Sequence, residues 1–276
     1  MSILRRRTRL GYALGSGSAK GLAHIGVLKV LEGADIRPSV IAGSSIGAIV
    51  GALSASGQTA QQIEHMATKL DLRELMTLAD LRAAGPALIS GDSVERFLRA
   101  NLPANFEDLV IPFACVSSDL RSGKRVVHTR GDLVSAIRAS LSIPVIFSPV
   151  ELDGRLLIDG GVTEPVPVDT ARELGAKRIV AVTLYSGGGG FEIESGDGGT
   201  LLEKLLARSE RAHIALASVD LMQARIAEDS LERADIVIRP DINKYSQLSW
   251  MNAEELIARG EAAAREQLDA IRALKS

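Results

Sequence analysis

Apolar positions along the chain alternate between two patterns. Short β-branched and apolar runs read as strands at residues 10–14, 40–42, 111–117, 124–129, 156–158, 178–184 and 234–238. Between them, apolar residues at helical spacing predict helices over 22–31, 58–70, 92–101, 132–140, 168–174, 201–225 and 252–274. A small-residue apolar stretch after Ser45 reads as a further helix, and Asp92 as the cap of the helix at 92–101. Asp153-Gly154 reads as a hairpin turn, and RIVAVTL at 178–184 as a central strand. Residues 71–89 read as mixed helix and loop, packed core first, with a lid or an acyl-chain wall as the alternatives, and 186–200 as a Gly-rich mobile loop. Strands alternate with helices throughout, with no repeat and no dividing linker. The expectation is one three-layer α/β/α domain around a mostly parallel central sheet.

Composition narrows the function classes. The 276 residues are 46% hydrophobic and 24% charged, ordinary for a globular protein. A net charge of −2 and only 3% aromatic residues provide neither the field nor the stacking surface of a nucleic-acid binder. The only cysteine, Cys115, lies in an apolar run, which rules out a disulfide framework. MSILRRRTRL has no apolar core and no cleavage site, so it does not read as a signal peptide, and no apolar run approaches the ~20 residues that span a bilayer. A cytoplasmic protein is the default expectation. Arg5, Arg6, Arg7 and Arg9 read as a solvated tail, with transient attraction to an anionic membrane surface as the sharper alternative. The sequence carries no signal for oligomeric state.

Two glycine-rich turns carry the candidate chemistry. Gly43-Ser44-Ser45-Ile46-Gly47 lies between a predicted strand and a predicted helix, the setting of a nucleophile elbow. Gly43 and Gly47 lack a Cβ and let strand and helix close around Ser45, whose oxygen then faces the helix N-terminus. Ser44 or Ser45 would equally serve as a plain helix cap. Gly15-Ser16-Gly17-Ser18-Ala19-Lys20-Gly21 also joins a strand to a helix. It misses a dinucleotide fingerprint, which needs glycine at Lys20, and a P-loop, which needs Ser or Thr at Gly21. Backbone N–H groups of Gly17, Ser18 and Ala19 before a helix suit an oxyanion hole, and Lys20 adds a positive charge or clamps the loop. Parallel neighbouring strands would bring both turns to one sheet edge. Asp159-Gly160-Gly161 ends another strand, as a turn or as a carboxylate held open to a site.

A Ser-His-Asp triad lacks its imidazole. His65 and His213 fall inside predicted helices, His128 in a strand and His24 in the first helix, and none follows the last strands. A carboxylate acting directly on the serine is the alternative.

In this combination and order, the glycine-rich loop, the elbow and Asp159-Gly160-Gly161 resemble the patatin-like phospholipase family. The stretches GLAHIGVLKVLE, SLSIPVIFSPV and DGGVTEPVPV extend the likeness from about Leu10 to about Gly260. The resemblance implies a Ser–Asp dyad with Ser45 as nucleophile and Asp159 as general base. It implies an oxyanion and substrate-binding loop at Gly15, Gly17, Ser18, Ala19 and Lys20, and no metal or cofactor. It further implies a fatty-acyl ester substrate, a (lyso)phospholipid or related lipid, and one domain over 1–276, with a core at about 10–170 that residues 171–276 complete. Ser16 and Ser18 stand where many members have glycine, and Lys20 where many have arginine. A regulatory or scaffolding protein that keeps the dyad without turnover is the alternative, and a nucleotide-binding protein built on the first loop a more distant one.

Overall fold

The computed structural model describes residues 9–68, 91–185, 210–245 and 252–274. The expectations for Arg5, Arg6 and Arg7, for 71–89, for 186–200 and for the first turns of the 201–225 helix lie outside these residues. The described strands are β1 Leu10–Leu14, β2 Val40–Ser44, β3 Phe113–Asp119, β4 Arg125–His128, β5 Val150–Leu152, β6 Arg155–Asp159, β7 Arg178–Val182 and β8 Ile236–Ile238. They form one sheet in the order β5-β6-β3-β2-β1-β7-β8, with β4 also paired to β3. From β3 to β8 neighbouring strands run parallel, whereas β4, β5 and β6 are antiparallel additions at one end. β7, expected at the centre, lies one strand in from the β8 end. Its apolar run follows from burial on both faces, which any interior parallel strand shares.

The helices are α1 Ala23–Gly33, α2 Ile46–Ala55, α3 Ala60–Thr68, α4 Asp92–Asn101, α5 Leu133–Ser140, α6 Val168–Glu173, α7 Glu210–Leu231 and α8 Ala253–Ala273. The predicted helix at 22–31 opens instead as a 3₁₀ turn, Ser18–Leu22, that continues into α1. Asp92 occupies the first helical position of α4, and Gly91, at φ 81°, takes the cap place. An acidic residue still favours the positive end of the helix there. Asp132 does cap α5, its Oδ1 accepting from Ser135 N–H at 3.0 Å. Among the described residues no helix is long and apolar enough to cross a membrane.

Period-two alternation along the strands builds the layers. Leu10, Tyr12, Leu14, Ile41, Val180 and Val182 face one core, which α1, α2, α3, α5 and α8 cover. Ala13, Val40, Ala42, Ile179 and Ala181 face a second, smaller core under α6 and α7. On the first face α1 and α8 meet at backbone contact. A Cβ on Gly26 would lie 1.9 Å from Ile257 O, and one on Gly260 1.9 Å from Ala23 O. Lys29 of α1 borders this contact with salt bridges to Glu261 of α8 at 2.6 Å and Glu64 of α3 at 2.8 Å.

This packing distinguishes glycines on the same helix. Gly26→Val should lower the unfolding free energy by about 3 kcal/mol, because the side chain meets rigid backbone. Gly33→Ala, where nothing lies within 4 Å of the added Cβ, should be neutral or stabilising by up to about 1 kcal/mol. Urea denaturation of the two variants beside wild type measures the contrast.

Candidate active site

The chain leaves β2 at Ser44 and enters α2 at Ile46, so Ser45 alone makes the turn, at φ 53° and ψ −124°. For a residue with a Cβ this backbone costs of order 1–3 kcal/mol, and the surrounding packing has to hold it. The two elbow glycines allow that packing. A Cβ on Gly43 would lie 2.4 Å from Gly47 O, and one on Gly47 2.1 Å from Leu14 O. The start of α2 therefore rests against the end of β1, where the glycine-rich loop begins. β1 and β2 are parallel neighbours, and both turns stand at the same sheet edge as the sequence predicts.

Asp159 reaches this edge from the antiparallel side. It closes β6, and its Oδ1 caps a 3₁₀ turn, Gly160–Val162, by accepting Gly161 N–H at 2.7 Å. Its Oδ2 accepts the Ser45 hydroxyl at 2.5 Å, across 114 residues of sequence. The backbone around it is fully used: Asp159 N–H donates to Ser142 O at 2.9 Å, and Asp159 O accepts Ser118 Oγ at 2.8 Å. Ser45 is 2% exposed and Asp159 1% exposed, so the carboxyl has almost no water. Burial raises its pKa from 3.8 to about 7, and the hydrogen bonds from Ser45 and Gly161 counter this only in part.

The glycine-rich loop is anchored at its first two residues. Gly15 N–H donates to Val182 O at 3.0 Å and Ser16 N–H to Pro165 O at 2.8 Å. Gly15, which the resemblance puts in the oxyanion and substrate-binding loop, spends its N–H on β7. The chain then turns through Gly17 at φ 150° and Ser18 at φ 49° into the 3₁₀ turn that carries Ala19 and Lys20. Lys20 is partly exposed, and burial lowers its pKa while the charge of Asp220 on α7 opposes the shift.

Several contacts at the site carry no motif. Ser140, the last residue of α5, accepts Ser45 N–H on its Oγ at 3.0 Å. His24 is fully buried, and its Nε2 bonds Gly15 O at 2.8 Å. Burial lowers its pKa to about 4, so the ring is neutral and Nε2 carries the proton that Gly15 O accepts. Among the described residues its Nδ1 has no hydrogen-bond partner. Arg138, buried on α5, donates to Ser142 Oγ at 2.9 Å and stacks over Phe147 at 5.1 Å. It thereby fixes the segment whose Ser142 carbonyl holds Asp159. The one available sequence signal was Ser140-Leu141-Ser142 at a predicted helix end. His128 bonds Ser117 Oγ at 2.7 Å, and no described histidine bonds Ser45 or Asp159.

The family follows from comparison with known proteins. Residues 12–172 match the patatin-like phospholipase family, and the chain belongs to it. An uncharacterized NTE family protein of Mycobacterium tuberculosis is 39% identical over 177 residues, 64% of this chain and 49% of its own length. Patatin-like phospholipase domain-containing protein 6 of Homo sapiens is 33% identical over 183 residues, 64% of this chain and 13% of its own. The chain thus spans half or less of the length of these relatives. VipD from Legionella pneumophila superposes with a TM-score of 0.55 at 13% identity, over 96% of this chain and 67% of that one, and shows the same fold. The family is one of lipid hydrolases.

Burial of Asp159 has a stability consequence with a definite sign. From about pH 4 to about pH 7 the folded state holds a proton that the unfolded state has released, so the carboxyl's contribution to stability falls as pH rises through that window. Asp159→Asn, which carries no charge, should melt above wild type at pH 8, with the gap narrowing at pH 5. Thermal melts across pH check this, and a gap constant with pH would contradict the raised pKa.

Proposed function

We propose that the protein is a serine lipid acyl hydrolase working through a Ser45–Asp159 dyad. The observation that carries the reading is the 2.5 Å Ser45 Oγ to Asp159 Oδ2 hydrogen bond in a nearly dry site. A carboxylate of ordinary pKa is a weak base at neutral pH. One raised to about 7 accepts a proton from serine at the operating pH and can return it.

In the proposed reaction Asp159 takes the Ser45 proton as Oγ attacks the ester carbonyl. The oxyanion rests on N–H groups of the turn at Gly17 and Ser18, beyond the anchored residues Gly15 and Ser16. The C–O bond breaks, and Asp159 protonates the departing alcohol. Water, losing its proton to the same aspartate, attacks the acyl-enzyme, and the fatty acid leaves as Ser45 recovers its proton. Membership in the phospholipase family supports a fatty-acyl ester of a (lyso)phospholipid or related lipid, delivered through transient contact with a lipid surface. Serine and carboxylate supply both functions, so the reaction needs no metal or cofactor. A single domain organised around this site accords with the continuous sheet from β5 to β8.

The test is labelling by a fluorophosphonate, read by intact mass, alongside turnover of lysophospholipid and phospholipid esters. Wild type should gain one adduct, and Ser45→Ala none. Ser45→Ala and Asp159→Asn should each lower kcat/KM by about 10⁴-fold or more. Wild-type activity should rise with pH around a midpoint near 7, as Asp159 ionises. Near-normal turnover in either variant would sink the dyad, and folded wild type that takes no label would favour a scaffolding role.

A further inference from the structure

Ser16 departs from the glycine that many family members carry, and the site described above gives its hydroxyl no task. Ser16 is 1% exposed, and its hydroxyl lies 2.8 Å from Tyr185 Oη and 3.2 Å from Pro165 O. Tyr185 Oη in turn donates to Gln223 Oε1 on α7. Each hydroxyl has one proton to give. Tyr185 spends its proton on Gln223. Ser16 Oγ lies within donating distance of both Pro165 O and Tyr185 Oη; Pro165 O already accepts Ser16 N–H at 2.8 Å, which leaves the hydroxyl proton for the shorter contact to Tyr185. With Gln223 Oε1 turned to the phenol, Nε2 faces the other way, toward Gly161. A Cβ on Gly161 would lie 2.7 Å from Ser16 Oγ, 2.8 Å from Gln223 Nε2 and 2.9 Å from Asp159 Oδ1. The hydroxyl of the first loop, the amide of α7 and the Gly161-bonded oxygen of the proposed base thus converge over one Cα.

We propose that Ser16, Tyr185 and Gln223 form a positioning relay that holds the glycine-rich loop in register with Asp159 and makes α7 part of the reactive site. The proposal rests on the dyad reading above. The two loops come from opposite sides of Ser45, and the relay ties the first of them to α7, whose Gln223 amide lies over Gly161 of the second. α7 touches the first loop electrostatically as well, since Asp220, three residues before Gln223 on the same helix face, acts on both Lys20 and Tyr185. None of the three relay residues reaches the reacting atoms. They set where the oxyanion donors stand relative to the base, and misplacement by about 1 Å can cost up to a hundredfold in rate.

Three variants test it: Ser16→Ala, Tyr185→Phe and the double Ser16→Ala/Tyr185→Phe, in the full chain. Each single variant should lose about tenfold in kcat and in the rate of fluorophosphonate labelling at Ser45, with KM within twofold of wild type. The double variant should lose no more than the worse single, because links of one relay fail together. Melting temperature is followed in parallel, and Ser16→Ala, which deletes one oxygen atom, carries the test alone if Tyr185→Phe does not fold. Wild-type kcat and labelling in the folded variants would overturn the relay, as would losses that multiply in the double, and either result leaves the dyad standing. Wild type that takes no label at Ser45 would bring down the dyad and the relay with it.

Discussion

One hydrogen bond organises this molecule, the contact between Ser45 Oγ and Asp159 Oδ2. It joins the parallel half of the sheet, which carries the serine at the end of β2, to the antiparallel addition, which carries the aspartate at the end of β6. The bond requires both strands to end at the same edge, a backbone at Ser45 that residues with a Cβ rarely adopt, and exclusion of water. The last condition matters chemically. Water around the carboxyl would restore its ordinary acidity and leave it a poor base.

The rest of the site maintains that arrangement against its own cost. A buried carboxyl of raised pKa and a serine at positive φ both work against folding. Opposing them is a set of neutral hydrogen bonds that fix backbone groups: Ser140 on Ser45 N–H, Ser142 O on Asp159 N–H, Ser118 on Asp159 O and His24 on Gly15 O. Uncharged partners hold the geometry without supplying a positive charge that would pull the aspartate back toward an ordinary pKa. Arg138, buried on α5, donates to Ser142 Oγ rather than to the carboxylate.

The two faces of the sheet contribute differently. Helices α1, α2 and α8 form the larger core, and α1 meets α8 at glycine-to-backbone contact, so the platform beneath the elbow has little room to yield. The opposite face carries α6 and α7 over a smaller core rich in alanine and valine. Its polar link to the site is Gln223, reached through Tyr185, which leaves β7 at its C-terminal end.

Local pattern was enough for most elements. β1 and α4 match their predicted spans, and β2 and α5 differ by a residue or two, because periodicity and turn residues are properties of neighbouring positions. α7 runs six residues past the predicted end at 225, through IAEDSL, where Ala227, Ser230 and Leu231 are buried on a mixed face that reads as polar in the sequence. Ser45, Asp159 and both elbow glycines were legible as motif residues. Their pairing as a dyad came with the family resemblance, whereas the anchoring of Gly15 and the parts taken by His24, Ser140, Tyr185 and Gln223 were not legible. A hydroxyl, amide or imidazole acquires its partner only when a distant segment arrives beside it. The sequence by itself determined which residue types stand at the strand ends and that the backbone could turn there. Only the tertiary structure decided that the carboxyl would be dry and therefore basic, because desolvation depends on atoms brought together from β3, β6, α2 and α5 and belongs to no local stretch of chain.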